Sequence, residues 1–505
     1  MTNWLPEIPA GRGPMYLRLA DQIADDIICG RLPSGTKLPP QRDIAYDLGV
    51  TVGTIGRAYA TVRERGLVHG EVGRGTYVLG TLNGANSNSS SFLQDCKDTL
   101  SPPRQLPATD QEGTQDSWVS MVKAPTNPSF AGTRLPIPPT GTIRLDSTSA
   151  PEIGQATVIQ KLVTEITKDC PYEIASYTRV VPDTWRAAGK KWLSRAGWEP
   201  SEASIVPTTG AQAGIMSIIA AITNPGDRVA FEELTYSSIS RGAALNGRPA
   251  VQVATDDEGP LPDDLDRLCA QKHPKVLFLM PTIHNPTLRT MSAQRRKDIV
   301  EVARRHNLWL IEDEVYGSMR QTDLPPIASL APERTFHVGS LSKSVTAGVR
   351  GGWVSSPLSH AQRIYTAHKM LTGGISFLLA ELSARLVLSG AADDFRTKAL
   401  AEIAKRYEHA EKFLKGHDFA GAPDVPFLWL KLPDPLLPGT FKAAAANANV
   451  LIDDEDEFKI GRTEKTYYRV RVGFSNPSTR EEASKGLEII RQLLTSDGCC
   501  YDSFE

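Results

Sequence analysis

The sequence predicts a multidomain chain. A small, mainly helical N-terminal domain closed by a β-hairpin precedes a large α/β domain built on a mostly parallel sheet. Three observations predict this. Apolar residues recur at helical spacing early in the chain, the composition turns polar and proline-broken over residues 83–141, and from about residue 200 apolar runs of strand length alternate with helical ones. Such alternation marks a parallel sheet covered by helices.

Bulk composition narrows the classes. With 505 residues, two to four domains are expected. Each is large enough to bury its own core. Against 56 Lys and Arg stand 58 Asp and Glu, a net charge of −2, and 40% of residues are apolar. No apolar run reaches the length of a membrane span. The opening Met1-Thr2-Asn3-Trp4-Leu5-Pro6-Glu7 lacks the basic end and apolar stretch of a signal peptide. The 6 cysteines are scattered and suggest neither a disulfide nor a metal framework. A cytoplasmic protein with reduced thiols is expected.

In the first domain, residues 1–80, Leu19, Ile23 and Ile27 line one helix face. A second helix starts near Pro39-Pro40, since proline suits a first helical turn, and ends at Leu48-Gly49-Val50. A third follows from the N-cap Thr51 through Tyr59 to Arg65. Leu67-Val68-His69 and Thr76-Tyr77-Val78 then flank a glycine-rich turn as a short wing. Helix, turn, helix and wing form a layout that reads DNA, with the N-terminal residues of the last helix at the base edges. Those residues are Thr51, Val52, Gly53 and Thr54, while Arg42, Arg57 and Arg74 suit phosphates or a groove edge. Residues 1–80 carry 9 basic against 8 acidic residues, so a local basic face, not bulk charge, must serve. The ordered set Gly30-Arg31-Leu32-Pro33, Leu38-Pro39, Arg42, Gly49-Val50-Thr51, Ala58-Tyr59 and Gly73-Arg74-Gly75-Thr76 resembles the winged helix-turn-helix of GntR-family transcription regulators.

Residues 81–141 read as a flexible linker, too polar to order themselves. Residues 142–496 form the large domain and 497–505 a tail. Strands are expected at 275–280, 308–311 and 335–338, with a helix capped by Ser292 between the first two. In such sheets ligands bind beyond the carboxyl ends of the strands. The polar residues there include Asp313, Tyr316, Ser340 and Lys343. Arg350 lies seven residues after the lysine, Asn285 sits in His284-Asn285-Pro286-Thr287, and Thr209-Gly210-Ala211-Gln212 opens a helix whose free amides suit a phosphate. Singly, each has a plainer reading: Asp313 as a helix cap, Tyr316 as packing, Lys343 as a solvated side chain, Arg350 as a surface ion pair.

Together, their order and spacing resemble a fold-type I pyridoxal 5′-phosphate (PLP) enzyme of the aminotransferase group, with a smaller C-terminal α+β subdomain at about 375–496. The resemblance implies a Schiff base between Lys343 and the cofactor aldehyde, an aldimine that an amine can displace. It implies that Asp313 holds the pyridine nitrogen protonated and that Asn285 and Tyr316 bond the ring oxygen. It further implies that Tyr236 stacks on the ring and that Gly210, Ala211, Gln212, Ser340 and Arg350 bind the phosphate. Arg471 matches the arginine that grips a substrate carboxylate, with Arg469 a rival two positions away. Tyr177 matches a residue that reaches a neighbouring subunit's cofactor. Two departures stand out. Leu288 replaces a usual glycine, and Asp453-Asp454-Glu455-Asp456-Glu457 is unusually acidic, expected as a solvated loop.

The two resemblances combine into the plan of MocR-type regulators. That plan implies a PLP-dependent DNA-binding transcription factor, a head-to-tail homodimer that binds a double-stranded operator and senses PLP or a small amino compound. Two other readings stay open: a working aminotransferase with a secondary DNA-binding domain, and a DNA-binding protein whose large domain is a dimerisation scaffold.

Overall fold

In the computed structural model the chain divides into two compact units, Met1–Gly113 and Thr114–Glu505. The structure describes residues 4, 6, 15–41, 44–45, 48, 50, 52–71, 75–79, 140–461 and 465–495. The expected linker, apart from residues 140 and 141, and the expected tail lie outside them.

In the first unit, helix α1 (Met15–Ile28) buries Leu19, Ile23 and Ile27. They pack on Ile55, Ala58, Tyr59 and Val62 of α2 (Val52–Glu64). Strands β1 (Val68–Glu71) and β2 (Gly75–Val78) pair antiparallel with Val68 opposite Val78. The segment before the second expected helix joins this wing: Leu38 N donates to Thr76 O at 2.7 Å, and Val78 N donates to Thr36 O at 2.9 Å. Tyr59 is buried and donates its hydroxyl to Pro39 O at 2.9 Å, tying α2 to the entrance of that helix. Of the second expected helix, Ile44 and Ala45 are buried in the same core, and residues 42, 43, 46, 47 and 49 lie outside the described residues.

The second unit is built on a seven-stranded sheet. Helix α3 (Asp183–Leu193) precedes β3 (Ile205–Thr208), and α4 (Ala211–Ile222) follows it. The remaining strands are β4 (Val229–Glu232), β5 (Ala250–Val253), β6 (Val276–Leu279), β7 (Trp309–Asp313), β8 (Thr335–Ser340) and β9 (Gly352–Ser355). Their spatial order is β3-β9-β8-β7-β6-β4-β5. Only β9 runs against the others, pairing antiparallel with both β8 and β3. The expected strands at 275–280, 308–311 and 335–338 fall on β6, β7 and β8. Their apolar runs suit strands with helices on both faces, and the buried pair Glu312 and His337, 2.8 Å apart, is the polar exception inside β7 and β8. Ser292 caps the helix Ala293–Arg305, accepting from Arg295 N at 3.2 Å, a bond that contributes about 1 kcal/mol.

Helix α5 (Ala361–Thr372) packs on α4, and the long α6 (Ala391–Phe413) leads to a smaller antiparallel sheet. That sheet holds β10 (Phe419–Ala420), β11 (Phe427–Lys431), β12 (Asp453–Asp454) and β13 (Arg469–Gly473), with β13 between β11 and β12. Its core also takes Ile143 and Leu145 from the beginning of the unit and Leu487 and Ile490 from α7 (Arg480–Thr495). Arg406 of α6 is 2% exposed. It donates to the carbonyls of Phe474, Ser475 and Pro477 at 3.0, 3.0 and 2.8 Å, fixing the chain just after β13.

Among the described residues no helix is long and apolar enough to cross a membrane. No cluster of His, Cys, Asp and Glu there fits a metal.

Candidate functional site

The sheet topology gathers the polar groups at one edge. Six strands point their carboxyl ends the same way, and β9, running backwards, begins there. One cavity of about 150 Å³ at that edge is lined by Ala211, Gln212, Tyr236, Asn285, Asp313, Tyr316, Ser340, Lys343, Arg350 and Arg471. Ten of the eleven expected cofactor and carboxylate residues therefore meet in one place. The eleventh, Gly210, abuts it: a Cβ there would lie 3.4 Å from the Arg350 guanidinium carbon.

At the phosphate end, Gly210 has φ +85° and precedes α4, so the backbone turns directly from β3 into the helix. A Cβ on Gly352 would come within 2.8 Å of Gly210 Cα, which makes this a backbone-to-backbone contact. The turn is pinned from behind by a residue that sequence reasoning missed. Buried His368 on α5 accepts Thr209 N–H at its Nε2, 3.1 Å away. Burial lowers the His368 pKa to about 4 and keeps the ring neutral, as an acceptor requires. The Arg350 guanidinium has no hydrogen bond or ion pair among the described residues. An unpaired cation beside free helix amides suits an anion.

At the centre, Lys343 Nζ donates to Thr148 Oγ1 at 3.1 Å and stands 5.4 Å from the Tyr316 ring centre. Thr148 also bonds the Tyr316 hydroxyl at 2.5 Å. Thr148, like Asp146, was not singled out from sequence. Its signal was the run Asp146-Ser147-Thr148-Ser149 just after the short strand Ile143–Arg144. Asp313 is 7% exposed, and its carboxyl accepts Val315 N–H at 3.1 Å. Burial raises its pKa to about 7, partly offset by that amide and by the positive charge of Lys343. Tyr236 Oη donates to Gln212 Oε1 at 3.3 Å.

At the far end, Arg471 is 2% exposed and lies between the Phe427 and Phe458 rings, 5.5 and 4.9 Å from their centres. Its Nη1 donates to Asn285 Oδ1 at 2.9 Å, and its Nη2 donates to Asp146 O at 3.1 Å and to the Asp453 carboxylate. The rival Arg469 does not line the cavity; it donates to Trp429 O at 3.0 Å and pairs with Asp418.

The acidic stretch is not a solvated loop. Asp453, Asp454, Glu455 and Glu457 are buried. They pair with Arg471, Lys442, Lys459 and Arg241 respectively. Only Asp456 is exposed. The expectation failed because three of the four cations that neutralise these acids, Arg241, Lys442 and Arg471, lie elsewhere in the chain. Leu288 adopts φ +61°, the backbone a glycine would take freely. Its side chain packs beside Trp429 and Phe458 and does not line the cavity. Tyr177 is 89% exposed and stands apart from the cavity.

In the first unit, Gly53 and Arg57 of α2 are exposed and Thr54 half-buried, on the side away from Ile55, Tyr59 and Val62. Arg57 lies 5.9 Å from the Tyr16 ring centre. Arg42, Thr51 and Arg74 lie outside the described residues.

A winged reader in one unit, and in the other a parallel sheet with a lysine, an aspartate and an anion cradle at its carboxyl edge, define a DNA-binding protein with an aminotransferase-like domain. Residues 173–425, half of the chain, match the family Aminotransferase class I and II. Residues 15–78 match the bacterial regulatory proteins of the gntR family. The chain thus belongs to the class I and II aminotransferase family, with a GntR-type DNA-binding domain fused at its N-terminal side in the MocR plan. It is 29% identical over 495 residues to the HTH-type transcriptional regulator YdeF of Bacillus subtilis (strain 168), covering 97% of both chains. It is 24% identical over 497 residues to the HTH-type regulator YdcR of Escherichia coli (strain K12), covering 95% of this chain and 99% of that one. Among solved structures, an archaeal alanine:glyoxylate aminotransferase superposes with a TM-score of 0.63 at 23% identity. That match covers 70% of this chain and 90% of that one.

Pyridoxal 5′-phosphate is the cofactor that goes with this family, and the cavity fits it. An unpaired guanidinium beside helix amides suits its phosphate. A buried carboxyl with one backbone donor suits a ring nitrogen cation. A lysine amine whose hydrogen bond is to a hydroxyl, not to a carboxylate, suits an aldehyde.

Proposed function

We propose that the protein is a transcription regulator whose aminotransferase-like domain senses PLP, or an amino compound that reacts with it, through Lys343. The observation that carries this reading is the placement of Lys343, Asp313 and the Arg350–Gly210 cradle around one cavity in a chain that also carries a GntR-type reader. Bound PLP supplies an aldehyde that an amine can hold covalently and a ring that withdraws electrons. The protein's own groups set the rest. Arg350 and the first amides of α4 hold the phosphate, and Ser340 lines the same end. Asp313 offers a carboxylate to the ring nitrogen and Tyr236 a flat face. Asn285 keeps its amide N–H groups and Tyr316 its hydroxyl for the ring oxygen, and Thr148 steadies both Tyr316 and Lys343. A ligand changes DNA binding only through its different affinity for two states of the protein.

Residues 1–80 serve as the reader, with Arg42, Thr51, Gly53, Thr54, Arg57 and Arg74 at the DNA, and residues 81–141 as the tether to residues 142–496. The working form in this reading is a cytoplasmic head-to-tail homodimer. Its support is an exposed apolar stretch, with Tyr172, Tyr177 and Val180 84, 89 and 79% exposed. Patches of that kind mark interaction surfaces.

The test compares wild type with Lys343→Ala. With PLP, wild type gains a visible absorption band that the variant lacks, and an amine effector alters operator binding only in wild type. Matching spectra sink the cofactor assignment, and a variant that still switches sinks the covalent sensing.

A further inference from the structure

Arg471 occupies the place where a carboxylate-gripping arginine is expected, yet its hydrogen-bonding edges are already taken. A carboxylate is gripped bidentate either end-on, through Nη1 and Nη2, or side-on, through Nε and Nη2. Both grips need Nη2. Its two N–H groups are spent on Asp146 O and the Asp453 carboxylate. One N–H of Nη1 goes to Asn285. Asp453 is not a passing neighbour. It stands directly opposite Arg471 in the β12–β13 ladder and is fully buried. Strand pairing therefore fixes the contact, and the Phe427 and Phe458 rings hold the guanidinium in place. An incoming carboxylate must expel Asp453 from its partner within a buried setting, where an unpaired charge is costly. It would also meet a like charge there. Arg471 Nε, by contrast, is buried with no hydrogen-bond partner. One donor with no net charge to offer suits one neutral acceptor oxygen.

We infer that Asp453 is a specificity-determining residue. It neutralises Arg471 and turns the site toward primary amines that carry a hydroxyl or other neutral oxygen where an amino acid carries its carboxylate. This inference rests on the sensing reading above and names its ligand class. Asp453 acts through Arg471 and so is a positioning residue, not a catalytic one.

The probes are L-alaninol and L-alanine, which differ in this respect alone. Both are titrated by calorimetry into the full-length PLP-loaded protein. Wild type is expected to bind L-alaninol at least about tenfold more tightly. Asp453→Asn, which keeps the shape and removes the charge, is expected to shift that ratio at least about tenfold toward L-alanine. In the PLP-free protein the same substitution is expected to lower the melting temperature, because Arg471 is left buried without a counter-charge. Equal or tighter binding of L-alanine to wild type overturns the inference. So does an unchanged ratio in Asp453→Asn. Should that variant fail to fold, the wild-type ratio decides alone. A wild-type protein with no PLP band on Lys343 removes the sensing reading and this inference together. A normal band with the wrong ratio removes only this one.

Discussion

Asp313 gives the sharpest forecast, because one substitution separates its cost from its use. Asp313→Asn keeps the shape and removes the ionisable group. In the cofactor-free protein the carboxyl is buried, with one backbone amide to solvate it. Its pKa stands at about 7 against an ordinary 3.8. That displacement corresponds to about 4 kcal/mol in favour of the protonated form. Between about pH 4 and pH 7 the folded protein holds a proton here that the unfolded chain has lost. Stability from this group therefore falls as pH rises through that window and levels off above it. About 3 kcal/mol of the loss falls between pH 5 and pH 8. At roughly 2 °C per kcal/mol for a domain of this size, that is ~6 °C. The assay is thermal melting of cofactor-free wild type and Asp313→Asn across that range. The variant should gain on wild type steadily up to about pH 7, then hold its lead. Adding PLP should reverse the order, since wild type alone presents a carboxylate to the ring nitrogen. A difference between the two proteins that does not change with pH refutes the burial argument.

Two further substitutions test the framework around the site. Gly352→Ala drives a Cβ to 2.8 Å from the backbone of Gly210. It should cost ~1–3 kcal/mol in stability and weaken PLP binding at least about tenfold, read by fluorescence titration; unchanged PLP affinity would show that the turn yields freely. Arg406→Met leaves the carbonyls of Phe474, Ser475 and Pro477 without their buried donor and should cost about 3 kcal/mol. The measurement is the urea midpoint, and a loss below about 1 kcal/mol would mean that water takes the donor's place.

The parts legible in the sequence were those set by local pattern. Strands β6, β7 and β8 announced themselves as apolar runs, and the residues that follow each strand necessarily fall at one edge of a parallel sheet. That geometry is why Asn285, Asp313, Ser340 and Lys343 were found by reading forward from each run. What could not be read was pairing across long separations. Thr148 meets Lys343 across 195 positions, and His368 meets Thr209 across 159. No local pattern marks either pair. The acidic stretch misled for the same reason. Five acids in a row read as solvated when only Lys459 lies close by and the other cations come from elsewhere: Arg471 on β13, Lys442 on the helix Pro438–Asn447 and Arg241 on the helix Ser237–Leu245. Arg469 and Arg471 looked alike because alternate residues on one strand share a face. What separates them is depth: Arg469 lies toward the rim beside Asp418, and Arg471 lies against two buried rings.

The backward strand β9 has a mechanical consequence. Because it starts where β8 ends, Lys343 and Arg350 sit on one short connection braced at both sides by sheet pairing. The two points that would grip a cofactor are thus carried together on one jaw, anchored to the sheet at both ends. Arg471 and Asp453 belong to the other sheet, carried on β12 and β13. In the sensing reading proposed above, closure around a ligand would be movement of that second jaw.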